Sequence, residues 1–117
     1  MTYIDGFVAA VPKANKELYI AHSRAAAERL KSWGASRVVE NWGNEVPPGE
    51  ITDFQRAVKA KEDEVIVFSW IEYPDKATRD AVVKKMMSPE DMAGVPDMPF
   101  DGARMIFGGF ENLFVLD

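Results

Sequence analysis

Cysteine is missing from all 117 positions, which excludes disulfides, zinc–thiolate centres, iron–sulfur clusters and cysteine nucleophiles. Histidine occurs once, at position 22, and the acidic run Glu62-Asp63-Glu64 lacks calcium-loop spacing, so no metal site is expected. Neither GxGxxG nor GxxxxGK occurs, so Gly108-Gly109 is not a phosphate loop. Ser69 and Ser88 lack the GxSxG setting of a hydrolase nucleophile. No apolar run approaches the ~20 residues of a membrane helix, and Met1 to Asp5 reads as no signal peptide. Positive charge is in the minority, 14 Lys and Arg against 19 Asp and Glu, a formal net charge of −5. That balance disfavours nucleic acid and anionic membrane as partners. The expectation is a cytoplasmic protein with no cofactor, no nucleic-acid partner and no membrane partner.

What is present is the composition of a globular protein, 47% hydrophobic and 28% charged. A chain of this length buries roughly two thirds of its unfolded surface, enough for one core, so residues 1–117 are read as a single domain.

Hydrophobic periodicity and turn residues divide the chain. Tyr3 to Val11 reads as a strand bounded by Pro12. Asn15 is a helix N-cap, and the helix it opens runs to Trp33 and stops at Gly34. Leu18, His22, Ala25, Ala26, Leu30 and Trp33 fall on one side of it, with Arg29 among them. Ser36 to Trp42 is a second strand, followed by the Pro47-Pro48-Gly49 loop. Thr52 to Gln55 fits a capping box for one or two helical turns. Val65 to Tyr73 is the strongest strand, rich in β-branched and aromatic residues. Pro74-Asp75 ends it and caps a helix to about Met87. Ser88 to Ala103 is rich in Pro and Gly yet carries Met92, Val95, Met98 and Phe100, the pattern of a lid that packs. A last strand is expected over Arg104 to Leu116.

This order predicts an α+β, ferredoxin-like βαββαβ fold, a four-stranded antiparallel sheet with helices on one face. Two helices cover one side of such a sheet. Yet the strong strand is apolar on both faces, with Val65, Val67 and Ile71 opposed by Ile66, Phe68 and Trp70. An antiparallel sheet with one face in water should alternate instead. The expectation is a homodimer in which the uncovered face meets a second copy.

Several segments then carry a resemblance. They are Tyr3-Ile4-Asp5-Gly6-Phe7 with Val11-Pro12, Arg37-Val38-Val39-Glu40 with Trp42, and Thr52-Asp53-Phe54. Val67 to Pro74, Met98 to Gly102, Arg104-Met105-Ile106 and Gly108-Gly109-Phe110 complete the set. Together, over nearly the whole chain, they resemble the YbaA-like family of short bacterial proteins of unknown function. The resemblance implies membership of the dimeric α/β-barrel group, in which two ferredoxin-like sheets pack face to face. It implies no catalytic residues, and it places Asn41 where relatives have a cysteine.

Six residues are candidates for a ligand site. His22 is a general base or haem ligand facing a cleft, or a core histidine bonded to a neighbour. Trp42 and Trp70 line a pocket for a flat ligand, or are core and interface. Glu72, beside Trp70, is an acid or base, or a carboxylate satisfied by solvent or by Arg104. Asp5 lines a cavity or blunts a strand edge. The functional expectation is a homodimeric small-molecule binding or sensing protein, its ligand between sheet and helices beneath a lid at residues 88–103. The alternatives are a cofactor-free monooxygenase- or isomerase-like enzyme of the barrel type, and a structural or protein-interaction role with no open pocket.

Overall fold

The computed structural model describes residues 2–117. Its strands are β1 (Tyr3–Pro12), β2 (Arg37–Trp42), β3 (Glu64–Tyr73) and β4 (Ile106–Glu111); its helices are α1 (Lys16–Trp33), α2 (Phe54–Ala57) and α3 (Lys76–Met86). The strands form one antiparallel sheet in the order β2-β3-β1-β4. The α+β, ferredoxin-like arrangement expected from the sequence is therefore present. The dimeric α/β barrel is not: the sheet is open, with β2 and β4 as free edges on opposite sides and no strand closing it.

The register sorts the strand residues onto two faces. Asp5, Phe7, Ala9 and Val11 pair with Ile71, Ser69, Val67 and Val65, and these side chains point toward α1 and α3. There Leu30 and Val82 pack on Ile71 and Tyr73, flanked by Trp33, Val38 and Met86. Tyr19 packs on Val11 and Val67, with Phe7, Trp42 and Phe100 against them. On the outer face, Val58 seals Val8, Ala10 and Ile66 beneath the loop that carries α2. The rest of the outer face has no cover.

Local chemistry explains the boundaries and corrects three expectations. Gly34, at φ +130°, terminates α1, and the Ala35 N–H donates to the Leu30 carbonyl at 3.0 Å. The buried stripe of α1, however, runs through Tyr19, Ser23 and Leu30, while Leu18 is exposed. The helix is turned by one residue because Tyr19 supplies both a ring for the core and a hydroxyl for Glu40 on β2. The Thr52 capping box does not form. Asp53 caps α2, its carboxylate accepting from the Arg56 N–H at 2.7 Å and the Gly49 N–H at 3.1 Å. Gln55 instead donates to the Val46 carbonyl. The last strand stops at Glu111 rather than Leu116, because its partner β1 begins at Tyr3, opposite Glu111. No helix among the described residues is long and apolar enough to cross a membrane.

Asp53→Ala is expected to destabilise the fold by about 1 kcal/mol in urea denaturation, the worth of an N-cap, and Thr52→Ala by less than about 0.5 kcal/mol. The reverse ranking would restore the capping box.

Candidate functional site

The six residues singled out in the sequence occupy five separate places, and only Trp70 and Glu72 share one. On the helix-facing side, Asp5 belongs to the second-from-edge strand β1 and so blunts no edge. Its carboxylate accepts from the Tyr73 hydroxyl at 3.0 Å and from the Arg79 guanidinium at 3.0–3.1 Å, tying α3 to the sheet. Burial, reinforced by Asp5, pushes the Tyr73 phenol well above its ordinary range. Arg79 also lies 5.1 Å over the Tyr3 ring. Gly109 sits under this group, where a Cβ would come within 2.5 Å of the Tyr3 hydroxyl and 2.8 Å of Arg79.

Trp42 is on the same side but at the other end of the sheet. Its ring centroid is 6.3 Å from that of Tyr19, and Lys16 lies over it at 5.6 Å. Tyr19 in turn stacks against Phe100 at 5.7 Å. Beside this trio lies a group that pattern reading overlooked. The Tyr19 hydroxyl donates to Glu40 Oε1 at 2.6 Å, and the buried Ser69 hydroxyl donates to the same oxygen at 2.5 Å. Burial first, and the Glu40 carboxylate second, drive the Tyr19 phenol far above its usual range, so it stays a proton donor. The i, i+4 spacing of Tyr19 and Ser23 was the available signal for this stripe. These side chains and the two packed clusters fill the centre of the space between helices and sheet, and an open groove remains at its edge between α1 and β2.

Arg104, which follows a short 3₁₀ turn, does not reach Glu72. It forms a two-armed pair with Glu64 at 2.7 Å on each arm, bonds Asp101 at 3.0 Å and donates to the Lys59 carbonyl. Those hydrogen bonds hold the Glu64 carboxyl at about 2.

The outer face brings Trp70 and Glu72 together, with the Trp70 indole N–H donating to Glu72 Oε2 at 2.9 Å. Arg37 approaches the same oxygen at 3.5 Å. Phe54, Phe68 and Trp70 make an aromatic row, with neighbouring centroids 6.0 and 5.8 Å apart. Phe68 is 48% exposed and Phe110 59%. Gly6 and Gly108, paired across β1 and β4, leave bare backbone beneath the Phe110 ring. Asn41 donates to the Phe68 carbonyl at 2.9 Å on the same side.

His22 belongs to neither face. Its Nδ1 is 2.6 Å from the Pro96 carbonyl, to which it donates as the Nδ1–H tautomer. Asn15 donates to the Pro99 carbonyl, and Arg29 donates to the carbonyls of Asp91 and Ala93, both at 2.7 Å. Four side-chain hydrogen bonds from α1 and its N-cap residue Asn15 thus clip residues 91–99 by their backbone. Among the described residues no group of His, Asp and Glu is arranged to hold a metal ion.

Two expectations follow. A carboxyl held low in the fold adds stability that is full above its unfolded pKa of 4.5 and is lost as pH falls from there toward 2. Glu64→Gln is therefore expected to lower Tm at pH 7 and to shrink the fall in Tm between pH 6 and pH 3; an undiminished fall would remove Glu64 from the acid response. Arg29→Ala removes two charge-assisted hydrogen bonds, and limited proteolysis within residues 88–103 is expected to accelerate at least about tenfold. An unchanged rate would mean that the clip does not hold the segment.

With this geometry in hand, comparison with known proteins gives a consistent result. The family described as "Protein of unknown function (DUF1428)" matches residues 2–102. The "Uncharacterized protein YbaA" of Escherichia coli strain K12 is 54% identical over 114 residues, covering 97% of both chains, and that of Shigella flexneri matches equally. A crystal structure described as a dimeric ferredoxin-like protein from an uncultured marine organism aligns with a TM-score of 0.55 at 17% identity. That alignment covers 99% of this chain and 97% of the other, a likeness of fold. The chain belongs to the DUF1428 family of uncharacterised bacterial proteins, with YbaA as a relative along 97% of both sequences.

Proposed function

We propose that the protein works as a homodimer joined through the outer face of its sheet, and that it binds a small, flat, largely apolar molecule in the space this pairing leaves. The observation that carries the reading is the aromatic row Phe54–Phe68–Trp70, in which Phe54 and Phe68 are exposed and Trp70 is half-buried. Rings at this spacing on an uncovered sheet face are an apolar patch of the kind that marks an interaction surface. The marine ferredoxin-like structure, described as dimeric, agrees with it.

The ligand space has a physical origin. Stacked sheets sit about 10 Å apart, but α2 and its loop already cover one end of the outer face over Val8, Ala10 and Ile66. A second sheet laid on this face meets that step and is held off the region beside it. The walls there are Phe54, Phe68 and Trp70. The polar handles are the Glu72 carboxylate, oriented by the Trp70 indole, and the Asn41 amide. A mostly apolar site with few fixed polar groups suits a planar ring system with one hydrogen-bond donor. The helix-facing side offers less to a flat apolar molecule, since packed clusters fill its centre and its open groove, at the β2 edge, is rimmed by charged side chains.

Phe68→Asp sets a carboxylate in the centre of the proposed interface at a half-exposed position, so the fold should survive. It is expected to weaken dimerisation at least ~100-fold in sedimentation equilibrium. Native mass spectrometry of the unaltered protein should give a dimer carrying a reproducible small molecule, and Trp70→Ala should give the dimer without it. A monomeric parent protein overturns the dimer. A dimer whose added mass persists in Trp70→Ala overturns the site.

A further inference from the structure

Leu113, Phe114, Val115 and Leu116 are the most exposed run of large apolar side chains in the chain, at 89, 77, 72 and 89%. All four are good strand or core residues, and four in succession in water form a surface that asks for a partner. Among the described residues the chain itself offers none. The Asn112 N–H donates to the Thr2 carbonyl, and there the neighbouring strand ends. β4 is an edge strand, so the segment that follows it leaves the sheet with its hydrogen-bonding groups unpaired.

The complementary surface lies at the opposite edge. β2 has one side free, and between it and α1 runs an open groove of about 650 Å³. Ile20, Ala27 and Val38 supply its apolar surface, and its charged lining is mixed, with Arg24, Lys31 and Arg37 outnumbering Glu28 and Glu40. The exposed segment brings four apolar side chains flanked by Glu111 and Asp117. The groove therefore offers apolar residues for the floor, a free strand edge for the backbone, and a small excess of positive charge for the flanking carboxylates.

The segment of one molecule does not satisfy the groove of the same molecule. β4 and β2 are three strand spacings apart, roughly 14 Å at ~4.8 Å each. Four extended residues span roughly 13 Å, so crossing the sheet would use up Leu113–Leu116 and leave none of these side chains to lie along β2.

We propose that Leu113–Leu116 of one copy adds as a strand to the β2 edge of a second copy, the side chains of Phe114 and Leu116 entering the α1–β2 groove and those of Leu113 and Val115 turned to the outer face. Each copy then gives a segment and receives one, a reciprocal exchange closed by two-fold symmetry. The proposal rests on the homodimer reading above and adds to it a second contact, made at the sheet edge rather than on the outer face.

The absence of cysteine makes the test clean. Two single-cysteine proteins, Phe114→Cys and a mass-tagged Ala27→Cys, are mixed, allowed to exchange subunits and mildly oxidised. The mixed disulfide is expected at least several-fold above that formed by Phe114→Cys with Glu62→Cys, a position on the exposed turn before β3. A mixed yield no greater than that control overturns the proposal. Sedimentation of the same mixture before oxidation separates the two readings: a dimer without the mixed cross-link leaves the outer-face dimer standing and removes the strand exchange, whereas a monomer removes both. Truncation after Asn112 is an independent arm. It is expected to raise the dimer dissociation constant at least tenfold, and an unchanged constant overturns the exchange even if the chains cross-link.

Discussion

A four-stranded sheet has two faces, and two helices of 18 and 11 residues have surface for one. Everything characteristic of this molecule follows from the strands being apolar on both. β3 places Ile71, Ser69 and Val67 under the helices and Ile66, Phe68 and Trp70 away from them. The chain answers with a partial second layer, one helical turn and its loop, enough to bury Ile66 with Val8 and Ala10 and no more. The remaining surface is flat because Gly6 and Gly108 let Phe110 lie over the backbone. A face built this way is suited to another flat face.

Three strand carboxylates are arranged as ties, each meeting a donor from a different element: Glu40 with Tyr19 of α1 and Asp5 with Arg79 of α3 on the helix side, and Glu64, on the outer side of β3, with Arg104 from the approach to β4. Partly buried charges cost free energy unless paired, so each tie selects one placement of its helix or loop over the neighbouring ones. Tyr19 and Tyr73 are held as neutral donors by burial and by the carboxylates they serve. These groups are spent on architecture, which leaves the outer face with the freer chemistry.

Much of the fold was legible in the chain. Val65 to Tyr73 announced the central strand, Gly34 the end of α1, and two-sided strands the uncovered face. What was not legible turned on tertiary partners. Tyr19 joined the buried stripe because a carboxylate stood 21 residues away to receive its hydroxyl. Asp53, not Thr52, capped α2 because its second oxygen also served Gly49. Arg104 chose Glu64 over Glu72, a choice of distance along the strand that spacing does not disclose. The barrel expectation came from resemblance, and the pairing of four strands with two free edges replaced it. The candidate site was legible in part: Trp70 and Glu72 share a face as expected, whereas His22, Asp5 and Arg104 went to structural partners.

The clip on residues 91–99 is made by side chains of α1 and of Asn15 just before it, grasping main-chain carbonyls. Every amino acid brings the same carbonyl, so apart from Gly94, whose φ of +88° favours glycine, the clip reads the path of that segment and is blind to its letters. Substitution there should therefore be cheap through evolution, while Asn15, His22 and Arg29 pay for the freedom by staying as they are. A histidine that stands alone in its sequence would then be retained among relatives for holding a strap of changeable spelling, and an alignment would flag it as catalytic for a reason that has nothing to do with proton transfer.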